Sequence, residues 1–158
     1  MKIATSYFYQ IRNFKPYMIP VSTALSDPFW YKPPNGEEYY IDKRGVVNGL
    51  RYEPLIVQRQ GTLGCPGEFS ICSAARTRLN KNYICSTMQE YEYLLQTLVN
   101  KEQTLKAFNF CANKFKKELK FKEEPIIVLM VYETPKNRCS ERYALQKYFN
   151  CEELSYPI

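Results

Sequence analysis

An unbroken apolar run near the carboxyl end constrains the fold of this chain more than any other feature. The run Ile126–Tyr132 reads IIVLMVY, and no polar residue alternates with the apolar ones. Strands buried on both faces have this pattern, and such strands belong to parallel sheets. A polar turn, Glu133–Arg138, and a helix-like segment near Cys139–Asn150 follow it. We therefore predict one α/β domain over residues 1–158, with a mainly parallel central sheet flanked by helices and this strand near its centre.

Three further strands are predicted before the middle of the chain. Residues typical of strands predict them at Lys2–Phe8 and Tyr17–Thr23. Pro20 gives the second of these an irregular or edge position, because proline cannot donate to a ladder. The apolar group within Glu53–Gln60 predicts a short central strand that leads into the glycine-rich loop Gly61–Ser70. That loop matches neither a Walker motif nor a dinucleotide fingerprint, so it is only a weak indication of phosphate binding.

Two long helices are predicted from apolar residues at helical spacing. The first begins at Ser86 in a capping box that ends at Gln89, and the second begins near Gln103. The first helix is expected to bury one face, made by Tyr91, Leu94, Leu95, Leu98 and Val99. The second carries lysines opposite its apolar face. With glutamates close by, these lysines indicate a solvated surface rather than a nucleic-acid patch.

The absence of histidine limits the chemistry open to this chain. No histidine occurs among the 158 residues. Catalytic triads, histidine general bases and zinc sites that use histidine are therefore excluded. Acid–base chemistry would have to come from Glu, Asp, Tyr, Lys or a thiol.

Cysteine usage and the amino-terminal residues indicate a cellular compartment. No two of the six cysteines have C-x-x-C spacing, and the opening MKIATSYFYQ lacks the apolar core of a signal peptide. No apolar stretch approaches the 18 residues of a membrane span. We expect a soluble cytoplasmic protein with reduced thiols, no membrane partner, no metal and no cofactor. Scattered cysteines that converge on zinc are the alternative.

Charge and aromatic content favour an anionic partner without requiring one. The net charge is +6, which either attracts anions or only keeps the chain soluble. The 14 Tyr and 9 Phe either cover the core or include a platform on which bases stack. The adjacent aromatics Phe29, Trp30 and Tyr31 lie among turn signals. They either pin their loop to the body or form the rim of a pocket.

A candidate site lies where the apolar strand ends. Glu133 follows the strand, Cys139 and Ser140 lie at the predicted helix start, and Arg142 lies within its first turn. Helix amides and a neighbouring arginine lower the pKa of a thiol, so Cys139 would bind an anion or act as a nucleophile. In the alternative, Cys139 packs under the helix and Glu133 forms a structural ion pair with Arg142.

The segment VLMVYETPKNRCSERYALQKYF resembles the carboxyl-terminal signature of the YeaO-like domain of unknown function, found in small bacterial, archaeal and phage proteins. That signature has a strand ending in C-Y-E-x-P and then C-H-R at a helix start. Tyr132, Glu133, Pro135 and Cys139 match it in order. Thr5–Phe8, Pro20–Ser22, Pro28–Tyr31 and Gly64–Pro66 are similar to its earlier motifs.

Two departures from the family pattern concern the site itself. Val131 replaces the family cysteine, and Cys139-Ser140-Glu141 stands in place of C-H-R. Chemistry that depends on that cysteine or histidine would be lost here. The resemblance implies a small α/β fold with a pocket at the strand ends, and no settled activity.

Together these features predict a protein that binds a nucleotide, a nucleic-acid element or another anionic ligand at the strand-end crevice, without histidine-dependent catalysis. The predicted ligand-binding residues are Ser6, Ser22, Trp30, Tyr132, Glu133, Cys139 and Arg142. No catalytic residue is assigned. One alternative is a non-catalytic interaction factor, for example a phage protein that blocks or sequesters a host protein. The other is an enzyme that acts on a nucleobase or sugar.

Overall fold

A four-stranded parallel sheet organises the molecule. The computed structural model describes residues 1–56, 86–135 and 140–155, and for residues 86–90 it describes the backbone only. The strands are β1 (Lys2–Tyr7), β2 (Met18–Ser22), β5 (Ile126–Val131) and β6 (Glu152–Glu153), in the spatial order β2-β5-β1-β6. All three pairings are parallel. Two short strands, β3 (Tyr40–Ile41) and β4 (Val47–Asn48), pair antiparallel as a separate hairpin. The predicted α/β fold class is confirmed.

Three α-helices accompany the sheet among the described residues. They are α1 (Ser86–Leu98), α2 (Lys101–Leu119) and α3 (Arg142–Phe149). The side chain of Asn100 accepts a hydrogen bond from the Gln103 amide and so caps α2. Lys120 and Asn150 adopt left-handed backbone conformations that end α2 and α3. Short 3-10 helices cover Phe8–Asn13, Phe29–Tyr31, Pro34–Gly36 and Glu53–Leu55.

The central position of β5 confirms the prediction made from its apolar run. β5 pairs with β1 on one side and with β2 on the other. Met130 is in register with both Ser6 and Ser22, so these two serines flank it on the same face of the sheet. β2 lies at the edge of the sheet, where Pro20 removes no ladder hydrogen bond that the sheet needs.

The two faces of the sheet bury two separate cores. Ile127, Leu129 and Val131 pack against residues of the three α-helices, including Leu95, Phe115 and Leu145. Val128 and Met130 face the other way. They pack against the 3-10 segments and loops, with Phe8, Ile11, Phe14, Tyr31 and Val46. Burial on both faces is the physical reason why β5 shows no alternation of apolar and polar residues.

Two predicted features differ in the structure. The start of the strand predicted at Glu53–Gln60 is wrong, because Glu53–Leu55 form a 3-10 helix; residues 57–60 lie outside the described part. Pro54 opens that turn, and Leu55 is buried by packing rather than by strand pairing. Leu98 was predicted on the buried face of α1, but it is exposed where the helix ends.

Several predicted features fall outside the described residues. The glycine-rich loop Gly61–Ser70 is one, and the capping-box side chains of Ser86 and Gln89 are another. Of the six cysteines, Cys111 and Cys151 are described, and both are free thiols. None of the described helices has the length and apolarity that a membrane span requires.

Candidate functional site

The sheet divides the predicted site residues between its two faces. The Tyr132 ring lies on the face of the 3-10 segments, with its centroid 5.1 Å from that of Phe8. Ser6 and Ser22 share that face by their register with Met130. Glu133 and Arg142 lie on the face covered by the α-helices, together with Ser140. All five lie near the carboxyl edge of the sheet, but they do not converge on one crevice as predicted.

The two remaining predicted residues lie elsewhere. Cys139 falls outside the described residues. Trp30 lines a cavity of about 320 Å³ that also touches Tyr9, Arg12, Tyr40 and Arg44. This cavity lies on the side of the 3-10 segments, away from Glu133. Of the three neighbouring aromatics, Tyr31 pins the loop by donating from its hydroxyl to the backbone oxygen of Leu50 at 2.6 Å, and Trp30 forms part of a cavity rim.

The polar residues on the helical face form one group, which we call the strand-end cluster: Glu133, Ser140, Glu141, Arg142 and Glu153. Its centre is Arg142, whose side chain is 0 % exposed. The guanidinium donates to Glu153 through Nε at 2.9 Å and through Nη2 at 3.3 Å. Its Nη1 atom has no hydrogen-bond partner within the described residues. A buried cation with an unused donor is costly for a fold and is typical of functional sites.

The ion pair of Arg142 corrects the sequence-based expectation. That expectation placed Arg142 at the surface of a crevice or paired it with Glu133. The observed partner is Glu153, eleven residues further along the chain. β6 is only two residues long, and its parallel pairing with β1 brings Glu153 beside the arginine. No local motif marks so short a strand, so the sequence alone did not reveal the pair.

Two residues that were not predicted hold Glu153 in place. Thr5 in β1 donates from its hydroxyl to Glu153 Oε1 at 2.8 Å. The same hydroxyl accepts a hydrogen bond from Gln146 Nε2 at 2.8 Å, so α3 is joined to β1 at this point. These hydrogen bonds, from Gln146 to Thr5 and from Thr5 to Glu153, therefore orient the Glu153 carboxylate. The carboxylate in turn orients the guanidinium of Arg142. The alternation of side chains between the two faces of β1 would have predicted that Thr5 is a buried polar residue. It would not have predicted that Glu153 is its partner.

The carboxyl groups of the cluster have altered acidity. Burial raises the pKa of Glu133, while the charge of Arg142 and a 3.4 Å hydrogen bond from the Ser140 hydroxyl lower it in part. Burial, reinforced by the charge of Glu133, raises the pKa of Glu141 from 4.5 to about 8. At neutral pH Glu141 is therefore largely protonated and can donate a hydrogen bond. The cluster thus combines a cation, a neutral acid and a second carboxyl of raised pKa.

The start of α3 also differs from the prediction. The helix begins at Arg142 rather than near Cys139. The Arg142 amide donates to the Ser140 hydroxyl oxygen at 3.3 Å, and the Tyr143 amide donates to the Ser140 backbone oxygen at 3.4 Å. Ser140 thus satisfies two of the amides that were expected to face an anion. Any anion at this edge depends on the Arg142 side chain rather than on these amides.

On the opposite face, Ser22 belongs to a second polar group. Its hydroxyl donates to Asp27, and Asp27 also accepts from Arg51 Nη1 at 2.7 Å. Arg51 Nε donates to Glu53 at 3.1 Å. A cavity of about 720 Å³ adjoins this group. Two cations and four carboxylates line it, namely Lys32 and Arg51 against Asp27, Glu37, Glu38 and Glu53. This acidic lining disfavours an anionic ligand, although Ser22 was predicted to bind one.

Comparisons with known proteins found no relative that could help to interpret this site. No protein-family model, no curated protein and no solved structure matches the chain. Within the described ranges, no three Cys, Asp or Glu side chains are grouped so that they could hold a metal ion. The resemblance to the YeaO-like family therefore stays a prediction from motifs, and the site must be interpreted from its own chemistry.

Proposed function

We propose that this protein binds an anionic ligand, such as a nucleotide or a nucleic-acid element, at the carboxyl edge of its sheet through the strand-end cluster. The observation that supports this most directly is that Nη1 of the buried Arg142 has no hydrogen-bond partner in the part of the chain that the structure describes. Leaving a buried polar group without a partner costs about 1–3 kcal/mol, and more for a charged group. A phosphate or carboxylate oxygen at Nη1 would recover that cost on binding.

The surroundings of Arg142 support the same proposal. The carboxyl ends of parallel strands are where ligands bind in open α/β sheets. Glu153 holds two of the guanidinium nitrogens, so the third is fixed in direction before a ligand arrives. A preoriented donor loses little side-chain entropy on binding. Protonated Glu141, adjacent in sequence, would supply a second donor to the same anion.

Thermal melting with defined anions tests this proposal. We expect inorganic phosphate or adenosine monophosphate at millimolar concentration to raise the melting temperature of the natural protein, because a ligand that binds only the folded state stabilises it. Arg142→Gln should lose this response. Lys106→Gln removes one positive charge at an exposed site on α2 and should keep it. An equal response in all three proteins would contradict a role for Arg142.

A second candidate function is supported by the paired carboxyls. Glu133 and Glu141 lie in one cluster, and the charge of Glu133 raises the pKa of Glu141 further. Two carboxyls of unequal acidity are the usual equipment for acid–base cleavage of glycosidic bonds. An enzyme acting on a nucleoside would use Glu141 as the acid and Glu133 as the base.

Chromatography separates this enzyme from a binding protein. The natural protein, incubated with purine and pyrimidine nucleosides, should release free base if the carboxyls act in catalysis. Glu133→Gln and Glu141→Gln should each abolish that release, while Glu118→Gln on the exposed side of α2 should not. Release that persists in both cluster variants would reject the assignment.

A further inference from the structure

A second surface, distinct from the strand-end cluster, is formed around the segment that joins β1 to β2. The residues Tyr9–Tyr17 border two cavities. One is the 320 Å³ cavity that includes Trp30, next to the β3–β4 hairpin. The other has a volume of about 540 Å³ and lies between this segment and the turn after α2. We call the combined lining of the two cavities the basic track.

The basic track contains more cations than anions. Its cations are Arg12, Lys15, Arg44, Lys120 and Lys122, and its anions are Asp42 and Glu123. The balance of five against two leaves a local charge of +3, which is half of the net charge of +6. The acidic cavity beside Ser22 has the opposite balance. The track therefore carries a local excess of positive charge, which would attract a polyanion.

Most of these cations are available to a ligand. Arg44 is paired with Asp42 at 2.8 Å. The other four form no ion pair with any described carboxylate. Lysines after a helix end can simply balance the helix dipole, which would account for Lys120 and Lys122. That explanation does not cover Arg12 and Lys15, which belong to a different segment of the chain.

Aromatic rings alternate with these charges. Tyr9 is 60 % exposed and Trp30 is 49 % exposed, and both line the first cavity. The Arg12 guanidinium carbon lies 3.9 Å from the centroid of the Tyr9 ring, so the two planar groups are already stacked. Half-buried Tyr17 and Phe121 line the second cavity. The track therefore presents ring surfaces and cations side by side.

The rings near Trp30 are held in position by their surroundings. The Tyr40 hydroxyl donates to the Trp30 backbone oxygen at 2.5 Å. The Trp30 ring meets the buried Tyr31 edge-on, with centroids 6.3 Å apart. Exposed rings on an ordered backbone lose little entropy when a second flat group stacks on them. Such rings suit ligands that are themselves planar.

We propose that the basic track binds single-stranded nucleic acid. Its lysines would contact the phosphates, and Tyr9 and Trp30 would stack with bases. Proteins that bind single strands without sequence preference combine a positive groove with aromatic platforms in this way. A duplex hides its base faces and would leave the rings without a function. The proposal is independent of the proposed function, because Arg142 lies on the opposite face of the sheet.

Trp30 provides a direct assay because it is the only tryptophan in the chain. We expect a dT12 oligonucleotide at low salt to quench its fluorescence, since a stacked base lies against the indole. Binding should weaken as salt rises, with a log–log slope near −0.7 for each phosphate contacted. A 12-base-pair duplex of the same phosphate concentration should quench much less.

Charge-matched variants test the role of the lysines. The triple variant Lys15→Ala, Lys120→Ala and Lys122→Ala should bind dT12 at least tenfold more weakly, with a salt slope flatter by about 2. The control variant Lys32→Ala, Lys106→Ala and Lys117→Ala removes the same charge from exposed positions outside the track. It should change the slope little.

An aromatic variant tests stacking separately. Trp30→Ala, followed by anisotropy of labelled dT12, should lose roughly tenfold in affinity, the scale of one stacked base. Phe110→Ala removes a ring that is 73 % exposed on α2 and should bind normally. Arg142→Gln should also bind dT12 normally, which distinguishes this surface from the strand-end cluster. The proposal is overturned if dT12 leaves Trp30 fluorescence unchanged, or if the two triple variants bind equally.

Discussion

Replacing Glu141 with glutamine tests whether the strand-end cluster keeps the Glu141 carboxyl protonated at neutral pH. In the folded protein, burial and the charge of Glu133 raise the pKa of Glu141 from 4.5 to about 8. Between these two values the folded state holds a proton that the unfolded chain has released. The contribution of Glu141 to the free energy of unfolding is therefore largest below pH 4.5 and decreases as the pH rises to about 8. The sign is opposite to that of a salt-bridged carboxylate.

The magnitude follows from the size of the shift. Each pKa unit corresponds to 1.36 kcal/mol, so the free energy of unfolding should fall by about 1.4 kcal/mol per pH unit in this window. At pH 7 the accumulated penalty from Glu141 is about 3 kcal/mol. Glutamine has nearly the same shape and does not titrate. The difference in stability between Glu141→Gln and the natural protein should therefore grow by about 3 kcal/mol from pH 5 to pH 7.5.

Urea denaturation followed by circular dichroism at pH 5, 6, 7 and 7.5 measures this difference directly. Glu118→Gln, on the exposed side of α2, serves as the control and should give a difference that does not change with pH. Glu133→Gln should narrow this pH window and so reduce the accumulated penalty at pH 7.5, because the charge of Glu133 is one cause of the raised pKa of Glu141. If Glu141→Gln shows the same offset at every pH, Glu141 is ionised in the folded state and the reasoning fails.

Three further predictions concern stability and reactivity. Arg142→Ala should lower the free energy of unfolding by about 3–5 kcal/mol in urea titrations, since it leaves the partly buried Glu153 without its partner, and a loss below 1 kcal/mol would contradict the buried pair. Burial raises the pKa of Cys111 and Cys151 to about 11, so both should react slowly with iodoacetamide at pH 8 in the folded protein and quickly in urea, and mass spectrometry of peptides containing these residues measures the ratio. Tyr31→Phe should cost about 0.5–1.5 kcal/mol by thermal melting, because it removes the hydroxyl that donates to the Leu50 backbone oxygen, and a neutral result would show that this hydrogen bond contributes nothing to stability.

Local patterns in the sequence were enough to predict several elements of the fold. The run Ile126–Tyr132 identified the central strand because burial on both faces removes alternation. Pro20 indicated the edge position of β2, and apolar spacing indicated α1 and α2. The pattern failed at Glu53–Leu55, the start of a predicted strand, which forms a 3-10 turn opened by Pro54. Three apolar residues do not distinguish a strand from any other buried segment.

Which polar groups come into contact depends on how distant parts of the chain fold together. Glu133, Glu141 and Arg142 are close in sequence, and the positions of Glu133 and Arg142 beside the end of the central strand were predictable. Glu153 and Thr5 were not, because 148 positions separate them and only the parallel pairing of β6 with β1 brings them together. The same sheet separates Ser22 from Glu133 by placing their side chains on opposite faces. Sequence periodicity reports which residues are buried, whereas the pairing of distant strands determines which buried charges become partners.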